Sequence, residues 1–240
     1  MFCELRIYHP MPGRLADLVE RIGAVMPPFF ERHGFAPRLG QWTGAAGSPS
    51  PVFAWMLRWP SLEARMAAFA ALGADAEWNA LRVRTNGPGE MVRRYDLRVL
   101  SPSRVGAAQV PERRAPACAL YEVRTLPVAV GRSGAAEEAL AATDLPALAA
   151  SGTTVAAVFD NLFGGATPGV TLLLGWPDFE RRHAALDAYE RRAEVVQARR
   201  AERERWAGEH VFGEATSLLL EPTRYGAIDL QTATFPRKTP

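Results

Sequence analysis

Trp59-Pro60-Ser61-Leu62-Glu63-Ala64-Arg65 returns, more than a hundred residues later, as Trp176-Pro177-Asp178-Phe179-Glu180-Arg181-Arg182. Working outward, Glu4-Leu5-Arg6 upstream is matched by Glu122-Val123-Arg124, and Ser101-Pro102 downstream by Glu221-Pro222. The offsets of 117, 118 and 120 residues drift little across each copy. A period this long is far above that of a solenoid repeat, so the chain contains two similar domains.

Each copy reads strand, helix, strand, strand, helix, strand. In the first, Glu4 to Tyr8 alternates polar and apolar, the period-2 pattern of a strand. Leu15, Leu18, Ile22, Met26 and Phe29 then recur at spacings of three and four, an amphipathic helix expected to bend or break at Pro27-Pro28. Gly34 suits a left-handed cap. Phe35 to Thr43 is the expected second strand, Gly44 to Pro51 a turn and Val52 to Trp59 the third strand. Ser61 caps a second helix, and Met91 to Leu100 closes the copy. In the second copy the strands are Leu120 to Leu126, Thr153 to Phe163, Val170 to Trp176 and Ala215 to Leu220. Its helices start near Ala135 and Asp178, the latter reading as one long helix.

The expected fold is therefore α+β: two tandem ferredoxin-like βαββαβ domains, packed sheet to sheet as a pseudo-twofold α+β barrel. The expected limits are 1–102 and 117–225 for the domains, 103–116 for a proline-rich linker and 226–240 for a polar tail. The inter-sheet interior is then the natural pocket.

Composition narrows the function. Net charge is +2 with the signs interspersed, which offers no general attraction to nucleic acid or anionic membrane. No apolar run nears the roughly 20 residues of a membrane span. Cys3 and Cys118 are too few for a disulfide framework or a zinc cluster. Strand-like alternation starts at once after Met1, so no signal peptide is expected, and the cytoplasm of a bacterium is the plain reading.

Glu4-Leu5-Arg6-Ile7-Tyr8 before Pro12-Gly13, then Gly40-Gln41-Trp42-Thr43, then Arg58-Trp59 with Leu62 and Arg65, resembles the NIPSNAP family. Asp75 to Trp78 fits that family's acidic-x-x-Trp ending of the second helix. The resemblance covers most of residues 4–102 and, more faintly, 119–223. It implies the dimeric α+β barrel superfamily, whose members include cofactor-independent monooxygenases, small-molecule isomerases and haem enzymes such as chlorite dismutases and dye-decolorizing peroxidases. Relatives tend to place a His shortly before the Arg-aromatic pair; this chain has Trp55-Met56-Leu57 there, so no role resting on that His transfers.

Alternation puts Glu4, Arg6 and Tyr8 on one face of the first strand. The helices are expected to claim the apolar Leu5 and Ile7 face, which turns the polar set towards the barrel interior, and Glu122 and Arg124 do the same from the second copy. Two Glu/Arg pairs in one enclosed space would orient and polarise a small carbonyl or enolic ligand, with a Glu raised towards a general base. Tyr8 or His9 would assist proton transfer, and Arg58 with Gln41 or Trp42 would line the site. The same residues also fit a structural reading in which each Glu is a buried ion-pair partner of Arg. His183 lies between Phe179 and Leu186 on an apolar stripe and is the candidate axial ligand should haem bind. His33 reads as a helix-end residue, His210 as a loop residue, and Arg191 to Arg205 with its interleaved Glu as a solvated face.

The functional expectation is thus an enzyme without a tightly bound metal or other cofactor, acting on a small apolar carbonyl or aromatic compound: a cofactor-independent monooxygenase, an isomerase or a related catalyst. The alternatives are a non-catalytic small-molecule-binding or scaffold protein, and a haem-binding enzyme using His183. A small molecule is the expected partner, nucleic acid and membrane are not, and association into a homodimer is compatible with the fold.

Overall fold

The computed structural model describes residues 1–36, 38–47, 50–107 and 118–226. Most of the expected 103–116 linker and the 226–240 tail lie outside those residues. The chain divides into two units, Met1–Val99 with the segment that begins at Glu221, and Leu100–Leu220.

In the first unit, β1 (Phe2–Pro10) is followed by α1 (Leu15–Glu20), a π-turn at Arg21–Val25, and α2 (Pro27–Arg32). Then come β2 (Gly40–Ala46), β3 (Phe53–Trp59), α3 (Leu62–Ala74), α4 (Ala76–Asn86) and β4 (Val92–Pro102). After the short turn α5 (Arg104–Ala107), the second unit repeats the order: β5 (Leu120–Pro127), α6 (Ser133–Ala139), a π-turn at Leu140–Asp144, and α7 (Leu145–Ala150). It continues with β6 (Thr154–Phe163), β7 (Gly169–Trp176), α8 (Phe179–Glu190), α9 (Ala193–Arg205) and β8 (Thr216–Pro222). The sheets are ordered β4-β1-β3-β2 and β8-β5-β7-β6. β3 pairs antiparallel with β1 and β2, and β5 with β7 and β8. The α+β class and the ferredoxin-like order of elements are as the sequence implies.

Local chemistry explains the breaks. Proline lacks an N–H for the helical ladder, so each copy widens to a π-turn just before Pro28 or Pro146. The bonds Met26 N–H to Arg21 C=O and Leu145 N–H to Leu140 C=O close those turns. Ser61 accepts the Ala64 N–H as the expected cap, and Gly34 takes φ +73° at the end of α2. Three boundaries differ from expectation. β2 starts at Gly40 rather than Phe35. Asp75 ends α3, but it also starts α4, its carboxylate accepting the Trp78 N–H, so Ala76 to Trp78 open a further helix rather than close the second. The long helix after Asp178 is two helices, broken at Arg191-Arg192, where Arg192 adopts extended backbone.

The two faces of β1 decide the site, and they are reversed from the expectation. The pairs Glu4–Leu57, Arg6–Trp55 and Tyr8–Phe53 share a face with Phe2 and Trp59. That face packs on Leu18, Ile22, Met26, Phe29 and Phe30 below and on Ala68 and Leu72 of α3. The helices therefore cover Glu4, Arg6 and Tyr8, and the other face carries Cys3, Leu5 and Ile7 against Ala54, Met56 and Arg58. Both faces are buried along most of the strand, so alternation alone could not say which one the helices take. The five aromatic side chains Phe2, Phe53, Trp55, Trp59 and Tyr8 outweigh two polar neighbours in the area they remove from water. The second unit has the same arrangement: Val170, Leu172, Leu174 and Trp176 pack with Ala136, Leu140, Leu145 and Leu148, beneath Ala185 of α8.

Candidate functional site

Glu4 is fully buried, and both its oxygens are engaged. Arg65 of α3 donates from Nε to Oε2 at 2.7 Å and from Nη2 to Oε1 at 2.9 Å. Trp59 Nε1 donates to Oε2 at 3.0 Å, and Arg6 Nη1 donates to Oε1. Burial by itself would raise the Glu4 carboxyl, but the bonds and charges of Arg65 and Arg6 outweigh it and hold it below the ordinary value. This is opposite to the raised general base that the sequence suggested. Arg6 in turn donates from Nε to the Tyr8 hydroxyl at 3.0 Å. Its guanidinium carbon lies 4.9 to 5.5 Å from the ring centres of Phe69, Tyr95, Tyr8 and Trp55. Burial pushes the Tyr8 phenol up despite that neighbour.

Glu122 repeats the motif. Arg124 Nε donates to Oε1 and Arg182 Nε of α8 to Oε2, each at 2.7 Å, and Ser217 adds its hydroxyl at 2.6 Å. Burial opposes ionisation here too, and the charge of Arg124 with the bonds from Arg182 and Ser217 overcomes it, so this carboxyl also sits low. The copies diverge around the second arginine. Arg124 pairs across the sheet with Leu172 where Arg6 pairs with Trp55. At the 118-residue offset, Tyr8 becomes Leu126 and Phe30 becomes Leu148.

Replacing rings by leucines leaves a pocket of about 120 Å³ between sheet and helices of the second unit. Leu126, Leu140, Leu148, Leu172 and Phe212 form its apolar wall. Arg124, Asp144, Tyr189, Arg199, Glu202 and His210 are its polar groups. Asp144, at the end of the π-turn, accepts from the Tyr189 hydroxyl at 2.7 Å and from Arg199 Nη2 at 2.5 Å. Burial first, then the adjacent Asp144 charge, pushes the Tyr189 phenol well up. Burial would lower the Arg199 guanidinium, but Asp144 raises it. Glu202 accepts from Arg199 Nη1 at 3.3 Å and from the Val211 N–H, with His210 Nδ1 at 3.7 Å.

The remaining sequence candidates are dispersed. His9 is buried and its Nε2 lies 2.8 Å from Asp96, on the opposite face of β1 from Tyr8. Arg58 stands across from Cys3 and so does not join Glu4. Gln41 lies on the helix face, donating to the Val19 carbonyl at 3.1 Å and accepting from Arg38 at 2.6 Å. Trp42 is buried on the other face, opposite Ala54. His33 ends α2 as expected and meets Asp75 at 2.7 Å. His183 is exposed, because α8 turns Arg182, Ala185, Leu186 and Tyr189 inward instead. An exposed imidazole does not fit the role of an axial haem ligand, and the 120 Å³ pocket is too small for a tetrapyrrole.

Sequence reasoning missed Asp144, Tyr189, Arg199, Glu202 and His210. The signal was present: at the repeat offsets Met26 becomes Asp144 and Leu72 becomes Tyr189, so polar groups replace core residues in one copy only. Arg199 and Glu202 belong with buried Val195 at spacings of four and three, which makes that stripe of α9 inward rather than solvated.

Residues 3–105 match the NIPSNAP family, so the resemblance read from the first copy holds. No curated protein matches the chain. Among solved structures, a candidate monooxygenase from Lactobacillus acidophilus is similar at 10% identity and TM-score 0.56, covering 95% of this chain and 98% of its own. An anthrone oxidase-like protein shares 18% identity at TM-score 0.52, covering 93% and 91%. A chlorite dismutase variant from Candidatus Nitrospira defluvii shares 9% at 0.55, with the same coverage. At such identities the likeness is one of fold.

Proposed function

We propose that this protein is an enzyme without a tightly held metal, acting on a small apolar carbonyl or aromatic compound bound in the pocket of the second unit. One observation carries the reading: of two matching Glu–Arg pairs, the first is sealed among aromatic rings and the second borders a cavity of about 120 Å³. A cavity of ~150 Å³ lined by apolar side chains takes up benzene, so the space suits a single ring or a short branched chain. The leucine wall would hold the apolar body, and the Nη groups of Arg124 supply donors for a carbonyl oxygen that gains negative charge as an adjacent C–H is deprotonated. His210, half-exposed at the wall, is the candidate to accept that proton. The monooxygenase-like and anthrone oxidase-like neighbours are in keeping with small-molecule chemistry on this fold.

The test is to refill the pocket as the first copy fills it. Leu172→Trp should abolish saturable binding of benzaldehyde-sized compounds, followed by protein-observed NMR, with the thermal transition kept. Leu148→Phe, which restores the ring present at Phe30, guards against an overpacked first variant. Unchanged binding in both variants would remove the site from the second unit.

A further inference from the structure

We infer that the pocket of the second unit selects an anionic ligand, a compact monocarboxylate, and that the Nη groups of Arg124 grip its two oxygens. The inference rests on the pocket being the ligand site and names the class of ligand. Arg124 and Arg199 are the guanidinium groups on the wall. Arg199 is spent: Nη2 goes to Asp144 at 2.5 Å and Nη1 to Glu202 at 3.3 Å. Arg124 uses Nε for Glu122 at 2.7 Å, and among the described residues its two Nη groups have no protein acceptor. Its side chain keeps 19% exposure, against 6% for the caged Arg6. A guanidinium fixed at Nε presents its Nη pair as a fork, the geometry that matches two oxygens of one planar anion.

The charges around it favour that choice. Glu122 is shared by Arg124 and Arg182, so this end of the site carries one positive charge in excess. The Asp144 and Glu202 carboxylates, which would repel an anion, are both held by Arg199 across the pocket. Asp144 also accepts from Tyr189 and Glu202 from the Val211 N–H, so neither is available to pair with Arg124. The apolar wall then sets the body of the ligand, about one six-membered ring by the cavity comparison made above.

Benzoate and benzamide are the probes, since they differ in charge and scarcely in shape. Calorimetric or NMR titration of the full chain should give benzoate at least ~10-fold tighter than benzamide, which corresponds to about 1.4 kcal/mol. Arg124→Gln should bring benzoate to the benzamide level, and Arg124→Lys should recover part of the difference as a point charge without the fork. Glu122 keeps Arg182 and Ser217 in these variants, which preserves its partners. Equal affinities in the wild type, or a preference for benzoate that survives Arg124→Gln, would overturn the anion assignment. If benzamide alone binds and Leu172→Trp abolishes it, the pocket stands and the ligand class is wrong. If neither probe binds, or both bind Leu172→Trp undiminished, the pocket reading falls as well.

Discussion

At the scale of the residue, Glu4 and Glu122 share a type and a strand position, and differ in what surrounds their arginine. Glu4 accepts from Arg65, Trp59 and Arg6 inside an aromatic shell. Losing its charge would strand two guanidinium groups, and breaking a buried pair from one side costs about 3 kcal/mol. Glu4→Gln is therefore expected to lower stability by that order in chemical denaturation while leaving ligand binding in the second unit intact. Loss of turnover with full stability would instead make Glu4 a catalytic group. The pH dependence has a definite sign. Both carboxyls lie below their ordinary value of 4.5 in the folded state, so the unfolded chain binds more protons as pH falls. Their contribution is complete above that value and is lost as acid carries pH below it, through the folded values. The wild type should lose stability over that window more steeply than Glu4→Gln, which lacks one of the two groups.

At the scale of the element, most of what was legible came from periodicity and caps, and what was lost came from strands buried on both faces. Ser61 was readable as a cap because its position before an apolar run is specific, and Ser61 Oγ does accept the Ala64 N–H at 3.2 Å. Ser61→Ala should cost about 1 kcal/mol, seen as a shifted denaturation midpoint with an unchanged slope. Asp75 reads as a helix end, which it is for α3; the start of α4 at the same residue is hidden because one capping residue serves both helices. The reversal of β1 has a different cause. Glu4 and Arg6 look like solvent- or ligand-facing residues only if one reads the strand alone. Reading β1 with α3 would have corrected it, since Arg65 and Arg182 repeat in step with Glu4 and Glu122, and a repeated opposite charge on a helix is a partner for the strand beneath. The α9 stripe failed similarly: charge interleaving suggested a solvated helix, whereas Val195, Arg199 and Glu202 form one line facing inward.

At the scale of the whole molecule, the duplication is the most informative feature, and its value lies in where the copies disagree. Shared positions such as Trp59 and Trp176, or the π-turns at Arg21–Val25 and Leu140–Asp144, report what the fold needs. Divergent ones, Trp55 against Leu172, Tyr8 against Leu126 and Phe30 against Leu148, report what one copy does and the other does not. The sequence displayed every one of these substitutions. It did not display their consequence, because an opened cavity depends on which face the helices cover, and that was settled only by packing. The most direct test is a crystal derivatised with xenon under pressure, since xenon enters apolar cavities of this size and is located by its anomalous scattering. The account expects a xenon peak among Leu126, Leu148 and Leu172, and none among Tyr8, Phe30 and Trp55. A peak beside Arg6 in the first unit, or no peak in the second, would contradict it.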